Sequence, residues 1–171
     1  LSEKNMELIG IRDLYFDDGN IYISLQSKSS KGFGIDIYKA KFDLKKLDFE
    51  LFFKSNEYWD EYNVFSGGRI ENYKDNKIIF SIGYNNVRGA AQSMDSLFGK
   101  IVSVDKITGE HDIISMGHRN PQGLHYVENL NLIINTEHGP KGGDEINFNY
   151  QDNNKIPNYG WDIASYGVDY P

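Results

Sequence analysis

Three stretches of this chain repeat one pattern, in which a strand-like run and a polar turn precede a strongly apolar run. They span residues 14–24, 70–81 and 124–135, and each carries a β-hairpin signal. Their second strands are expected to begin at Ile21, Ile78 and Leu132, 57 and then 54 residues apart (78 − 21 and 132 − 78). That period is too long for a compact helical repeat and suits a blade of about four short strands. Residues 35–42 and 99–105 alternate in polarity, and further apolar runs follow at Leu51-Phe52-Phe53 and Ile113-Ile114-Ser115-Met116. A hairpin turn is expected at residues 106–110, and the best short helical turn lies within residues 90–96. No window of eleven residues keeps a 3.6-residue period, and the 12 Tyr and 10 Phe favour strands. The expected fold is all-β, a β-propeller of four-stranded antiparallel blades. It forms one partial domain over residues 1–171, with blade-like repeats at about 9–60, 66–117 and 120–171.

Three blades cannot close a ring, since closed propellers use about 4–8. An open stack leaves apolar faces and strand edges unpaired. The chain also opens on Leu1, and residues 166–171 end without a capping element. The expectation is a segment of a longer protein, with further blades on either side.

Composition narrows the ligands. A net charge of −7 argues against a nucleic-acid binder, which needs a basic face. Small molecules or cations are favoured instead. No apolar run approaches the ~18 residues of a membrane span, and the first ten residues lack the pattern of a signal peptide. The absence of cysteine excludes disulfides and thiolate metal sites and leaves the redox compartment open.

Two clusters flank the third apolar strand: Gly117-His118-Arg119-Asn120-Pro121-Gln122-Gly123, and residues 137–145 with Gly139-Pro140 and Gly142-Gly143-Asp144-Glu145. If the strand pairs back in a hairpin, both clusters meet at one sheet rim, in loops of the kind that carry function. Arg119 offers a planar five-donor fork and Asn120 both a donor and an acceptor, a pair suited to a flat ligand with carboxylate or quinone oxygens. The competing reading pairs Arg119 with an acidic residue and gives Asn120 to a turn. Around Gly139-Pro140, free carbonyls and two carboxylates suit a hard cation such as Ca²⁺. The competing reading is a glycine-rich turn with a solvated acidic pair. His118 and His138 read as hydrogen-bonded loop residues, because no zinc-type spacing accompanies them.

Together with Asn158-Tyr159-Gly160-Trp161 and Ser165-Tyr166-Gly167, these clusters resemble the soluble aldose (glucose/sorbosone) dehydrogenases. The likeness extends upstream through Ser66-Gly67-Gly68-Arg69-Ile70, Ser81-Ile82-Gly83 and Phe98-Gly99-Lys100-Ile101. It covers about residues 64–167, while residues 1–60 carry only the repeat. The resemblance implies a six-bladed propeller that oxidises aldose sugars with pyrroloquinoline quinone (PQQ) and calcium in the periplasm or outside the cell. It leaves room for a homodimer. Arg119 and Asn120 would contact PQQ. The carbonyls of Gly139 and Pro140 would hold the Ca²⁺ that polarises the quinone. Glu145 and Tyr159 resemble positions at a second calcium site.

One departure cuts against this. The family's catalytic base is a histidine preceding the Gly-Gly/Ser-Arg stretch, and Phe65 stands there. The aspartate that would hold that histidine corresponds to Tyr84. Phe has no lone pair with which to take a proton. Three readings follow: a dehydrogenase whose base lies elsewhere, a non-catalytic propeller binding sugar, PQQ or calcium, and a protein-interaction propeller. Of the remaining residues, Trp161 reads as a packing anchor between blades, and Arg69 as bracing a blade through backbone carbonyls or an acidic neighbour. Lys41, Lys45 and Lys46 form a solvated basic run.

Overall fold

At Asp18-Gly19 both residues adopt positive φ, 44° and 72°. This is the combination that a two-residue hairpin turn requires, and Gly carries it without a Cβ clash. The turn closes β1 (Glu7–Asp17) onto β2 (Asn20–Ser29), with Asp17 opposite Asn20. β3 (Gly32–Lys41) and β4 (Glu50–Lys54) complete an antiparallel sheet of order β1-β2-β3-β4. This computed structural model describes residues 6–152 and 155–168.

The pattern recurs. β5 (Gly67–Tyr73), β6 (Lys77–Ile82), β7 (Lys100–Asp105) and β8 (His111–Met116) form a second four-stranded antiparallel sheet in sequence order. β9 (Pro121–Val127), β10 (Leu132–Glu137) and β11 (Glu145–Tyr150) form a third, of three strands. Among the described residues there is no α-helix, only single 3₁₀ turns at Ala90–Gln92 and Glu128–Leu130. The β7–β8 turn is fixed by Asp105, whose Oδ1 accepts the N–H groups of Ile107 and Thr108 at 2.8 Å each. Those donors hold its carboxyl below the usual carboxylate range.

The central strands are buried on both faces, so the sheets stack. Along β6, Ile78, Phe80 and Ile82 face the first sheet and pack with Ile35, Ile37 and Phe53. Ile79, on the opposite face, packs with Ile101 and Ile133 toward the third sheet. This is the period of two that a strand imposes. Fully burying a side chain such as Phe80 contributes about 1.5–3 kcal/mol. β1 lies against β5, and β5 against β9, so the first strand of each sheet neighbours the next. Arg69 braces this junction through the Gln122 carbonyl (2.5 Å) and Asp13 (3.4 Å). The outer faces stay uncovered, with Leu14 and Phe16 on β1 and Ile146, Phe148 and Tyr150 on β11 exposed.

The structure departs from the repeat after β11. Residues 155–160 add no fourth strand to the third sheet and return to the end of β8. There the Met116 N–H donates to the Pro157 carbonyl (3.0 Å), and the Tyr159 N–H to the Met116 carbonyl (2.9 Å). The expectation about the uncapped end at residues 166–171 falls partly on residues 169–171, outside those described. A second loop, residues 83–99, runs alongside. Lys100, fully buried, pins it by donating to the carbonyls of Ala90, Ala91 and Phe98 at 2.8–3.0 Å. Burial lowers that amine to about 8, against the pull of Glu57.

Candidate functional site

The β9–β10 hairpin brings the two polar clusters together, since Glu137 pairs across the ladder with Pro121 at a bulge. Glu137 is 5% exposed and its carboxylate organises the junction. Oε1 accepts from His118 Nδ1 (2.8 Å) and Asn147 Nδ2 (2.7 Å), and Oε2 accepts from the Arg119 N–H (2.7 Å). His118 Nε2 meets the Ser115 hydroxyl at 2.7 Å. Burial pushes the Glu137 carboxyl up, but His118 and the N–H groups of Arg119 and Asn120 outweigh it, and the net direction is down. A buried charge requires such partners. Glu137 was not legible as a site residue. It opens the second polar cluster, but the sequence assigned its carboxylate no role.

With its backbone fixed by Glu137, Arg119 extends its guanidinium between two rings, 4.7 Å from Phe65 and 5.2 Å from Trp161. Nη1 donates to the carbonyls of His138 (2.9 Å) and Gly139 (3.0 Å). Arg119 Nε and Trp161 Nε1 are both buried without a partner. Trp161 thus clamps the arginine, where the sequence suggested a packing anchor. Tyr84 completes the aromatic wall, 5.8 Å from Phe65 and 5.2 Å from Trp161. Its hydroxyl donates to Asn86 Oδ1. Gly83 allows this approach, because a Cβ there would overlap the Phe65 carbonyl oxygen.

Asn120 is placed differently from Arg119. It is 4% exposed, and its Oδ1 accepts from the Gly67 N–H (3.2 Å) and Gln122 Nε2 (2.8 Å). It ties the third sheet to the second and does not line the cavity above Arg119. That open cavity of about 770 Å³ is walled by Tyr84, Asn86, Arg88, Arg119, Trp161 and Asp162, with Pro140 and residues 163–165 at its margin. Arg88 and Asp162 had no sequence motif to mark them.

A second cavity, of about 10 Å³, adjoins it and shares Arg119, Pro140 and Trp161 as walls; its volume is near the lower limit for one water. Gly139, Pro140, Glu145 and Tyr159 all border it, with Glu137. Burial raises the Glu145 carboxyl, with the hydrogen bond from Asn147 opposing. Burial, and Glu137 after it, push the Tyr159 phenol up to about 12. Its ring stacks on His118 at 4.8 Å and its hydroxyl donates to the Phe148 carbonyl (3.0 Å). The two histidines engage separate carboxylates, His118 with Glu137 and His138 with Asp144 at 3.6 Å.

These residues fit a flat acidic quinone: two guanidinium groups and aromatic faces wall the open cavity. The fit to calcium is narrower. The Gly139 carbonyl already accepts from Arg119, and that of Pro140 from the Gly143 N–H (2.7 Å). Each oxygen keeps a second lone pair, so this turn could offer two of the six to eight donors that Ca²⁺ takes. The others must come from a bound ligand, water or further chain. Among the described residues, no group of three or more His, Asp or Glu side chains is placed to hold a metal.

The sequence matches the profile of the family described as glucose/sorbosone dehydrogenase over residues 8–171. It is 32% identical over 163 residues to the aldose sugar dehydrogenase YliI of Escherichia coli K12, covering 87% of this chain and 43% of that protein. A shorter stretch of 58 residues is 45% identical to quinoprotein glucose dehydrogenase B of Acinetobacter calcoaceticus, covering 33% of this chain and 11% of that protein. Among solved structures, a glucose dehydrogenase superposes with a TM-score of 0.81 at 27% identity, covering 94% of this chain and 51% of the other. The PQQ-bound aldose sugar dehydrogenase of Streptomyces coelicolor superposes with a TM-score of 0.69 at 26% identity, covering 92% and 48%. The chain thus spans about half the length of the full-length relatives it matches. On the match over residues 8–171, this chain belongs to the glucose/sorbosone dehydrogenase family.

Proposed function

We propose that the protein containing this chain is a quinone-dependent oxidoreductase acting on aldose sugars, with PQQ as cofactor and Ca²⁺ beside it. The three sheets are read as consecutive blades of a six-bladed propeller, over residues of about 9–60, 66–117 and 120–171. The rest of the ring would come from outside this chain. The observation that carries the reading is Arg119. Its guanidinium is held between Phe65 and Trp161, donates to the carbonyls of His138 and Gly139, and borders an open cavity. A planar fork in that setting is suited to carboxylate or quinone oxygens. When bound, the quinone accepts hydride and the cation polarises it. Arg119 would orient that cofactor directly, and Asn120 would act by fixing the backbone beside it. Gly139 and Pro140 would supply carbonyls to Ca²⁺, and Glu145 and Tyr159 a second calcium position. The location proposed is periplasmic or extracellular.

A second reading, a non-catalytic propeller that binds the same ligands, is favoured by one observation: Phe65 and Tyr84 stand where a base and its orienting carboxylate are expected. The experiment that separates the readings is calorimetric titration of PQQ into the full-length protein with and without Ca²⁺, followed by aldose-dependent dye reduction. Calcium-dependent binding with turnover supports the dehydrogenase. Binding without turnover supports the second reading, and no binding overturns the cofactor assignment.

A further inference from the structure

We infer that Asp162 is the general base that takes the sugar hydroxyl proton, in place of the histidine whose position Phe65 fills. The inference rests on the dehydrogenase reading above. It begins with what the open cavity offers. Among the described residues that wall it, Asp162 is the one carboxylate. Phe65 has no lone pair, and the Tyr84 hydroxyl is engaged as a donor to Asn86. His118 is fully buried and committed to Ser115 and Glu137. Glu137 and Glu145 border the small adjoining cavity and not the open one.

Asp162 is also held in place. Its Oδ2 accepts the Gly89 N–H at 3.0 Å, which leaves Oδ1 with both lone pairs for a ligand. The segment that carries it is braced to the opposing loop. Gln92 and Asn158 exchange side-chain hydrogen bonds at 3.1 and 2.7 Å, and Gln92 also donates to the Trp161 carbonyl. The Trp161 N–H donates to the Gly117 carbonyl at 2.9 Å. The carboxylate therefore stands next to Trp161, whose ring clamps Arg119, with Arg88 and Arg119 facing the same space.

The step balances. The proton on the sugar O1 passes to Asp162 Oδ1 as the C1 hydrogen leaves with its electron pair for the bound quinone. The C1–O1 bond becomes the lactone carbonyl, and the quinone gains two electrons that an added dye then removes. A positioned base of this kind contributes about 10²–10⁴-fold.

The test uses full-length protein and the variants Asp162→Asn and Asp162→Glu. PQQ titration comes first, then dye reduction, then sugar binding to protein carrying the reduced cofactor, which cannot turn over. The expected result is PQQ affinity that is retained or tighter, since a negative charge is removed from the cavity wall, a loss of at least about a hundredfold in kcat for Asp162→Asn, and partial recovery in Asp162→Glu. On the reduced protein an aldose should bind about tenfold tighter than its 1-deoxy analogue, and Asp162→Asn should erase that difference, because a hydrogen bond to a charged acceptor is removed. Full turnover in Asp162→Asn with PQQ bound overturns the assignment and leaves the dehydrogenase standing. An unaltered protein that binds PQQ but oxidises no aldose also overturns it. Failure of the unaltered protein to bind PQQ overturns both. Should Asp162→Asn fold poorly, Asp162→Glu and the aldose/1-deoxy comparison on unaltered protein decide the matter.

Discussion

The guanidinium carbon of Arg119 lies 4.7 Å from the ring of Phe65, the residue at the position where the family's base is expected. Phe65 is one wall of a clamp, closed on the other side by Trp161 at 5.2 Å. An arginine so enclosed loses rotamer freedom before any ligand arrives, which reduces the ordering cost of binding. Replacing Phe65 by Ala opens the clamp. It should weaken PQQ binding by about 3–30-fold, the range of a partly desolvated cation–π contact. Arg119→Lys should weaken it more, by about 10–100-fold, because an ammonium cannot present the planar fork. Calorimetry on the full-length protein checks both. Equal affinity in Arg119→Lys and the unaltered protein would remove Arg119 from the ligand site.

Glu137 makes a prediction about stability. A carboxylate whose folded pKa lies below its unfolded value adds stability that is complete above the unfolded value. That stability is lost as pH falls through the folded value. Burial raises Glu137 but His118 and two backbone N–H groups lower it further, so the net direction is down from 4.5. The contribution should therefore be present at neutral pH and disappear below about 4.5. Glu137→Ala, which leaves His118 Nδ1 and the Arg119 N–H without their shared partner, should cost about 3–5 kcal/mol at neutral pH. Urea midpoints across pH test the sign: the gap between the unaltered protein and Glu137→Gln should narrow as the solution is acidified.

Much of the fold was legible because its signals are local. Asp18-Gly19 announces a turn by backbone chemistry alone, and the second strands begin at Asn20, Lys77 and Leu132, within one residue of expectation. The unbroken apolar run Ile78-Ile79-Phe80 likewise marks a strand with a core on each face. The site was less legible because its contacts are not local. Asn120 looked free to bind a ligand, yet Gly67, 53 positions away, claims its side chain. Trp161 and Asp162 reach the cavity only because residues 155–160 return to Met116 instead of adding the fourth strand that the repeat calls for. No periodicity encodes that return.

The Gly139-Pro140 turn tolerates no side chain at its first position. A Cβ on Gly139 would overlap the backbone carbonyl of Gly143, and backbone cannot yield as the tip of a side chain can. Gly139→Ala should destabilise the protein by about 1–3 kcal/mol and displace both carbonyls. If those carbonyls hold the cation, the difference between PQQ isotherms with and without Ca²⁺ should shrink in this variant. A calcium effect of unchanged size would place the cation elsewhere.

The last prediction concerns Phe65 and Tyr84 together. Their rings lie 5.8 Å apart, and Gly83 lets the two backbones meet, so a histidine at 65 and an aspartate at 84 would occupy neighbouring space. Phe65→His with Tyr84→Asp should therefore create a second base, oriented as the resemblance requires. With Asp162 intact the double variant should gain little, because one base suffices. In the Asp162→Asn background it should restore turnover by about 10–100-fold, within the range a positioned base supplies. Phe65→His alone should restore less, since an imidazole without a carboxylate partner is not fixed in tautomer or direction. The loss of the Phe65 wall acts against this gain by loosening Arg119, so PQQ affinity must be measured in the same variants and kcat compared at saturation. Rescue at saturation would show that the catalytic task at this cavity can pass between residues 65 and 162. Failure to rescue, with PQQ still bound, would show that the aromatic clamp and a base at position 65 exclude one another.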